Sequence, residues 1–275
     1  MKKVIIQGIL GSFHDLAVRE YFGGEAEIVE CPTFQEQFAR MKNDTDLIGM
    51  VAIENTVAGS ILPNYTLLRN SEMKIIGEHK MHIDQHLAVV PGTKIEDIRN
   101  VESHPMALRQ CEEYFHQYPH IRLVESVDTA SSAKRVAAEQ NKSVATICGD
   151  LAAEMYGLEI LTRNIETNKK NFTRFLVLQN QWSSDRVDTH KTADKASMVF
   201  SLPHKEGSLS KVLTILSFYD INLTKIQSLP IIGQEWQYLF YIDLVFDDYH
   251  RYRQAVDAII PLTEEMKILG EYKKD

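Results

Sequence analysis

The 275-residue sequence predicts an α/β protein of two domains, and three observations carry that prediction. Short apolar runs alternate with helical periodicity over residues 1–180, which indicates a largely parallel or mixed sheet. Residues 181–195 are polar and poor in core formers, a linker signature. Residues 196–275 then show the order βαββαβ, which predicts a ferredoxin-like sandwich.

Each element has its own sequence signal. Val4-Ile5-Ile6 reads as a buried strand, followed by a glycine turn and an amphipathic stretch from Ser12 to Phe22. Ile48–Ile53, Leu87–Val90, Ile121–Val124, Ser143–Ile147 and Phe175–Leu178 are further short apolar runs of strand length. Leu108–Gln117 and Thr129–Glu139 carry helix formers with apolar residues at i, i+3 and i+4. Past the linker, Ala196–Leu202 reads as a strand, Gly207–Tyr219 as a helix, and Leu223–Leu229 and Tyr238–Phe246 as strands. Asp248–Ile260 is a helix and Met266–Tyr272 a last strand.

Composition narrows the function classes. The chain is 44% hydrophobic and 25% charged, as in ordinary globular proteins. Thirty basic residues against thirty-eight acidic ones give a net charge of -8, which argues against nucleic acid or an anionic membrane surface as partner. Cys31, Cys111 and Cys148 lie far apart with no CxxC pair, so neither a disulfide framework nor a zinc ribbon is expected and a reducing cytoplasm fits. Val4-Ile5-Ile6 is too short for a signal-peptide core, and no stretch of about eighteen apolar residues occurs to span a membrane.

Generic catalytic signatures are absent: there is no GxSxG, HExxH or EF-hand pattern. Gly8-Ile9-Leu10-Gly11 follows a strand and precedes a helix, where backbone N–H groups can hold an anion, though a tight turn explains it equally. His79, His82 and His86 surround Asp84 without matching a metal-ligand spacing, and a half-exposed strand or connection is the better reading. Cys111 reads as a small buried thiol. Three polar clusters stand out. Glu54-Asn55-Thr56 follows a very apolar strand, Ser103-His104-Pro105 opens a helix that carries Gln110, and Asn171-Phe172-Thr173-Arg174-Phe175 enters a strand. Polar residues at strand ends are where open α/β sheets bind ligands.

These segments carry a resemblance. Gly8-x-x-Gly11-Ser12-Phe13, Ile53-Glu54-Asn55-Thr56 with Gly59, Ser103-His104-Pro105-x-Ala107-Leu108-x-Gln110-Cys111, Asp128-Thr129-Ala130, Tyr156-Gly157-Leu158 and Asn171-x-Thr173-Arg174-Phe175 occur in the order found in prephenate dehydratases. The C-terminal part is similar to an ACT domain, a ferredoxin-like module that binds amino acids. The resemblance implies a catalytic domain over 1–180, similar to type II periplasmic binding proteins, with lobe 1 at about 1–77 plus 166–180 and lobe 2 at about 78–165. A linker at 181–195 and an ACT domain at 196–275 complete the expected organisation.

The implied reaction converts prephenate to phenylpyruvate for phenylalanine synthesis, expelling the ring hydroxyl and carbon dioxide together. Aromatisation drives it, so no cofactor and no metal is expected. The resemblance makes Thr173 the essential position. A threonine is a weak acid, so its expected role is hydrogen bonding or proton relay to the leaving oxygen. Glu54, Asn55 and Gln110 are expected beside it. Glu54 near a dianion must be neutralised by a basic neighbour or protonated. Arg174 is expected to face the pyruvyl carboxylate or else to brace the lobes through an acidic partner. Phe175 and Ser103 are further expected substrate contacts, with Gly8, Gly11 and Ser12 adding N–H donors.

In the ACT region, Gly207, Ser208 and Leu209 with Asn222 and Leu223 are the expected contacts for the effector L-phenylalanine. Gln227-Ser228-Leu229-Pro230 stands where the family usually shows Glu-Ser-Arg-Pro, so backbone binding survives while an ion pair is lost. A homodimer or homotetramer is the expected assembly. The rival readings are an arogenate or dual-substrate dehydratase and a non-catalytic amino-acid sensor.

Overall fold

The computed structural model describes residues 1–184 and 192–275; the expected linker at 181–195 lies in part outside the described residues. The chain forms two compact units. The first contains Met1–Met41, Leu47–Asn64 and His79–Phe175, and the second contains Lys42–Asp46, Tyr65–Glu78 and Leu176–Asp275.

The first half of the chain begins with β1 (Lys2–Gln7), α1 (Phe13–Phe22), β2 (Ala26–Cys31), α2 (Phe34–Asn43), β3 (Ile48–Asn55), the short β4 (Gly59–Ser60), α3 (Leu62–Arg69) and β5 (Met73–His82). Ser12 caps α1 by accepting the Asp15 N–H at 3.3 Å. The chain continues through β6 (His86–Val89), β7 (Asn100–Ser103), α4 (Pro105–Phe115), β8 (Arg122–Glu125), α5 (Thr129–Glu139), β9 (Val144–Cys148), α6 (Asp150–Tyr156) and β10 (Glu159–Thr162), and returns in β11 (Phe172–Asn180). Pro105 starts α4, where its missing N–H has no consequence, and Asp128 caps α5.

Two sheets result. The first has the order β2-β1-β3-β11-β5, with β4 on β3; the second has the order β10-β6-β9-β7-β8. Pairing is parallel between β1 and β2, β1 and β3, β7 and β8, and β7 and β9, and antiparallel between β6 and β9. Strands β1 and β3 are apolar runs buried on both faces, as a parallel sheet requires. The lobe boundary expected at 77/78 falls inside β5, which runs unbroken to His82. The chain passes from β5 to β6 through Ile83–Gln85, and Met73–His82 interleaves charged with apolar residues, so it lacks a continuous apolar run.

Several elements besides β5 had no strong sequence signal: β2 is an edge strand with only Cys31 buried, β4 and β10 are short strands, and α2, α3 and α6 are helices of ten residues or fewer. Gly11 sits at φ +86°, and a Cβ there would lie 3.2 Å from the Ala152 Cα and 3.3 Å from the Tyr156 ring. The turn after β1 thus packs on α6 of the second sheet's lobe, where the Tyr156 hydroxyl donates to the Leu10 carbonyl at 2.6 Å.

After α7 (Gln181–Ser184), the C-terminal part consists of β12 (Lys195–Ser201), α8 (Ser208–Phe218), β13 (Asn222–Pro230), β14 (Tyr238–Val245), α9 (Tyr249–Ile259) and β15 (Met266–Tyr272). The antiparallel sheet has the order β13-β14-β12-β15. Met198, Phe200, Ile242 and Leu244 from the strands pack on Val212 and Leu216 of α8 and Tyr252, Val256 and Ile259 of α9. Within this unit Gly270 lies against β5, where a Cβ would come 2.2 Å from the Ile75 carbonyl oxygen. Lys195 and Glu78 form a buried ion pair at 2.7 Å. Among the described residues no helix is long and apolar enough to cross a membrane.

Candidate active site

Three segments converge within the first unit. β3 ends at Glu54-Asn55, β11 begins with Phe172-Thr173-Arg174, and α4 carries Gln110. Neighbouring positions of β3 and β11 in the sheet bring Asn55 and Thr173 together, though they are 118 residues apart in sequence.

Asn55 is fully engaged. Its Oδ1 accepts the N–H groups of Val57 at 2.9 Å and Ala58 at 2.8 Å, which turns its NH2 the other way. One hydrogen goes to Asn171 Oδ1 at 2.7 Å and the other to Thr173 Oγ1 at 2.9 Å. Asn55 thus lies beside Thr173, with both of its donor hydrogens used within the protein. Thr173, 9% exposed, accepts this bond, and no acceptor among the described residues takes its own hydroxyl hydrogen. The residue is thus poised as a donor.

Gln110 accepts from Asn171 Nδ2 at 3.1 Å through its Oε1, so its NH2 faces away from Asn171. Gln110 lines a pocket of about 550 Å³ with Val57, Arg109, Thr167 and Asn168. Glu54 accepts from Arg174 at 3.2 Å; the arginine side chain is 7% exposed and the glutamate 30%. The basic neighbour that Glu54 requires is therefore Arg174. Both residues of this pair belong to the first sheet.

Other expected contacts fall elsewhere. Ser103 is fully buried and its hydroxyl donates to the Ile147 carbonyl at 2.8 Å, which removes it from a ligand surface. Phe175 is 1% exposed and meets the His14 ring edge-on at 5.1 Å, so it is a core side chain. The turn after β1 likewise uses its own donors. Gly8 N–H binds the Cys31 carbonyl, Gly11 N–H binds Asp15 at 2.8 Å, and Ser12 N–H binds the Ile9 carbonyl. The tight-turn reading of this segment is the one its hydrogen bonds support.

The histidines have separate partners: His79 meets Glu20, His82 meets Asp84 and the Lys169 carbonyl, and His86 meets Asp150. No metal-binding group of side chains is present among the described residues. Cys111 is buried, and burial pushes its thiol up, while that of Cys148 is pushed up to about 12. His104 caps α4 by accepting the Met106 N–H at 3.1 Å, and burial holds its pKa below the ordinary value. Two residues have no role assigned from sequence. Asn171 starts the polar segment and its motif, but the threonine two positions on draws the functional reading. Arg109 sits at an unremarkable helix position, exposed and without a hydrogen bond or ion pair among the described residues.

Gly207 has φ +75° and opens α8 with no side-chain cap, and a Cβ there would meet nothing within 4 Å. Ser208 and Leu209 form the first turn of α8, and Leu209 packs against the core. Asn222 and Leu223 begin β13, paired with Val245 and Leu244.

Comparison with known proteins fits this geometry. The family described as prephenate dehydratase matches residues 4–183. The bifunctional chorismate mutase/prephenate dehydratase of Aquifex aeolicus is 34% identical over 99% of this chain and 74% of its own length. Arogenate dehydratase 2 of Petunia hybrida is 34% identical over 99% of this chain and 72% of its own. The crystal structure of a prephenate dehydratase in complex with L-Phe from Arthrobacter aurescens superposes with a TM-score of 0.86, at 26% identity, over 98% of this chain and 90% of that one. The match spans β3, α4 and β11, the three elements that build the Asn55–Thr173–Gln110 cluster, and this chain belongs to the prephenate dehydratase family.

Proposed function

We propose that this chain catalyses the decarboxylating dehydration of prephenate to phenylpyruvate. The observation that carries the reading is the Thr173 hydroxyl, which accepts from Asn55 and keeps its own hydrogen for a ligand. Hydroxide is a poor leaving group, and a hydrogen bond that strengthens as charge develops on the departing oxygen lowers the barrier more than it stabilises bound substrate. The Asn55 amide, pointing at Thr173 Oγ1, orients that donor. Electrons from the breaking bond to the carboxylate flow into the ring as the hydroxyl departs, so carbon dioxide and a hydroxide held by the Thr173 hydrogen bond leave together, the hydroxide takes a proton from solvent to become water, and the ring becomes aromatic.

The departing carboxylate must not be held tightly, since gripping it would favour the ground state. Arg174 is therefore assigned to the pyruvyl carboxylate. Its charge is balanced by Glu54, which keeps the guanidinium oriented. Gln110 adds an NH2 directed away from Asn171. Ser12 contributes at most its hydroxyl.

The C-terminal unit is assigned as an ACT domain that binds L-phenylalanine, with the open Gly207 turn, Ser208, Leu209, Asn222 and Leu223 as the contacts. The βαββαβ order and the L-Phe complex of the Arthrobacter relative support this. The exposed edge strand β13 supports self-association as a dimer or tetramer. The similarity to the Petunia enzyme supports arogenate as an alternative substrate.

The test is to incubate the purified chain with prephenate and measure phenylpyruvate, then to repeat with arogenate and with added L-phenylalanine. Turnover of prephenate supports the reading. Phenylalanine formed from arogenate alone replaces it, and inactivity on both leaves the amino-acid sensor.

A further inference from the structure

Asn171 is fully buried at the point where the second crossing between the lobes enters β11. Its backbone carbonyl accepts the Ile83 N–H at 2.8 Å, and its Nδ2 donates to the Ile83 carbonyl at 3.3 Å. Ile83 lies in the first crossing, between β5 and β6. A single residue thus ties the two crossings together by main chain and side chain. The same side chain reaches both lobes: Nδ2 donates to Gln110 of α4, and Oδ1 accepts from Asn55 of β3.

The donor count shows what this arrangement does. Asn55 Oδ1 is held by two backbone N–H groups, so its NH2 has two hydrogens for two acceptors, Asn171 Oδ1 and Thr173 Oγ1. Each acceptor fixes the direction of the other hydrogen. Without Asn171 Oδ1, one hydrogen is left unpaired in a mostly buried site, and the amide plane is free to turn from Thr173. Without Asn171 Nδ2, Gln110 Oε1 loses its donor, and nothing keeps the Gln110 NH2 pointed away.

We propose that Asn171 is a positioning residue, which makes the direction of the Thr173 hydroxyl depend on the alignment of the two crossings. It acts through Asn55 and touches no substrate. The inference rests on the dehydratase reading for its kinetic consequence, but not for the contact itself.

The experiment compares wild type, Asn171→Ala, Asn55→Ala and the double variant of the full chain, with prephenate as the probe. Asn171→Ala is expected to lower kcat about tenfold to a hundredfold, as small misplacements of reacting groups do, with a much smaller change in KM. The double variant is expected to be no slower than Asn55→Ala, because residues that act as one unit are not additive. Multiplicative losses, or a wild-type kcat in Asn171→Ala, overturn the proposal.

Should Asn171→Ala fail to fold, Asn171→Asp keeps the shape. Its neutral acid form both accepts from Asn55 and donates one hydrogen, whereas its carboxylate cannot donate. Its kcat is expected to rise on the acid side through a titration absent from wild type, and a profile parallel to wild type counts against the proposal. The side-chain NH2 signals of Asn55 in 15N spectra report the contact without turnover; they should shift in either variant, and exchange faster in Asn171→Ala, where the acceptor is gone. If the wild type is inactive on prephenate while these signals respond, the dehydratase reading fails and the positioning stands. Unchanged Asn55 signals overturn the positioning whatever the activity.

Discussion

Arg174 of β11 donates to Glu54 of the neighbouring strand β3 at 3.2 Å, so the guanidinium is held by a carboxylate within the sheet. In the proposed reaction it also receives the pyruvyl carboxylate, and a planar guanidinium can serve two carboxylates where an ammonium does so poorly. Arg174→Lys is therefore expected to raise KM about tenfold, the loss of one charge-assisted hydrogen bond, with a smaller change in kcat. Steady-state kinetics with prephenate check this, and a pure kcat defect at constant KM contradicts the placement.

Thr173 is the donor to the leaving oxygen in the proposed reaction. Thr173→Val keeps the volume and removes the hydroxyl. It is expected to lower kcat by about 10²–10⁴-fold, the usual worth of a positioned proton donor. The thermal midpoint should stay near wild type, since the hydroxyl makes one hydrogen bond in the structure. Thr173→Ser should retain part of the activity. Wild-type turnover in the valine variant removes Thr173 from the mechanism.

Lys195 and Glu78, with side chains 6% and 0% exposed, are bonded through both carboxylate oxygens. Removing one partner leaves a buried charge uncompensated, so Lys195→Met is expected to lower stability by about 3–5 kcal/mol. The double variant Lys195→Met/Glu78→Leu should recover most of that loss. Urea unfolding measures both, and an unperturbed Lys195→Met contradicts a stabilising role for the pair.

His14 gives a pH dependence of defined sign. Its ring packs between Phe34 and Phe175, its Nε2 accepts the Ala52 N–H, and burial lowers its pKa to about 4. Between that value and the ordinary one near 6.5, the unfolded chain binds a proton that the folded chain refuses. This contribution to stability is complete above pH ~6.5, is lost as pH falls, and levels off below pH ~4, amounting to roughly 2–3 kcal/mol. The difference between wild type and His14→Gln, measured by urea unfolding from pH 4 to 7, isolates it. A constant difference rules it out.

Arg109 is an exposed cation beside Gln110 in a chain of net charge -8. Local attraction must offset the overall field for a dianion to enter. Arg109→Gln is expected to raise KM about two- to fivefold at low salt, with the effect fading as the Debye length shrinks below about 8 Å. A salt-independent change points to direct contact instead.

Much of this site was legible in the sequence because its residues sit in polar segments that interrupt apolar strands. Glu54 and Asn55 end a fully apolar run, and Thr173 and Arg174 open another. Their joint occurrence at strand ends marks a ligand cleft without any knowledge of partners. Ser103 and Phe175 lie in the same segments yet face inward. Periodicity distinguishes strand from helix, but the direction of one residue at a strand end depends on what packs over it. The edge strands were harder. β2 buries a single residue and β5 alternates charge with apolar residues, so neither shows the continuous apolar run that identified β1 and β3.

The sequence by itself determined the alternation of elements, the βαββαβ order of the C-terminal unit, the acidic balance and the identities of the polar groups, because these follow from local periodicity and residue chemistry. Only the tertiary structure decided which groups remain free for a ligand. Donors and acceptors are consumed in pairs, and the partner of each is set by a strand or crossing more than 50 residues away: Asn55 by Asn171 and Thr173, Asn171 by Ile83 and Gln110, Glu54 by Arg174. Hydrogen-bond supply is a property of the assembled site, and among the described residues it leaves the Thr173 hydrogen unclaimed.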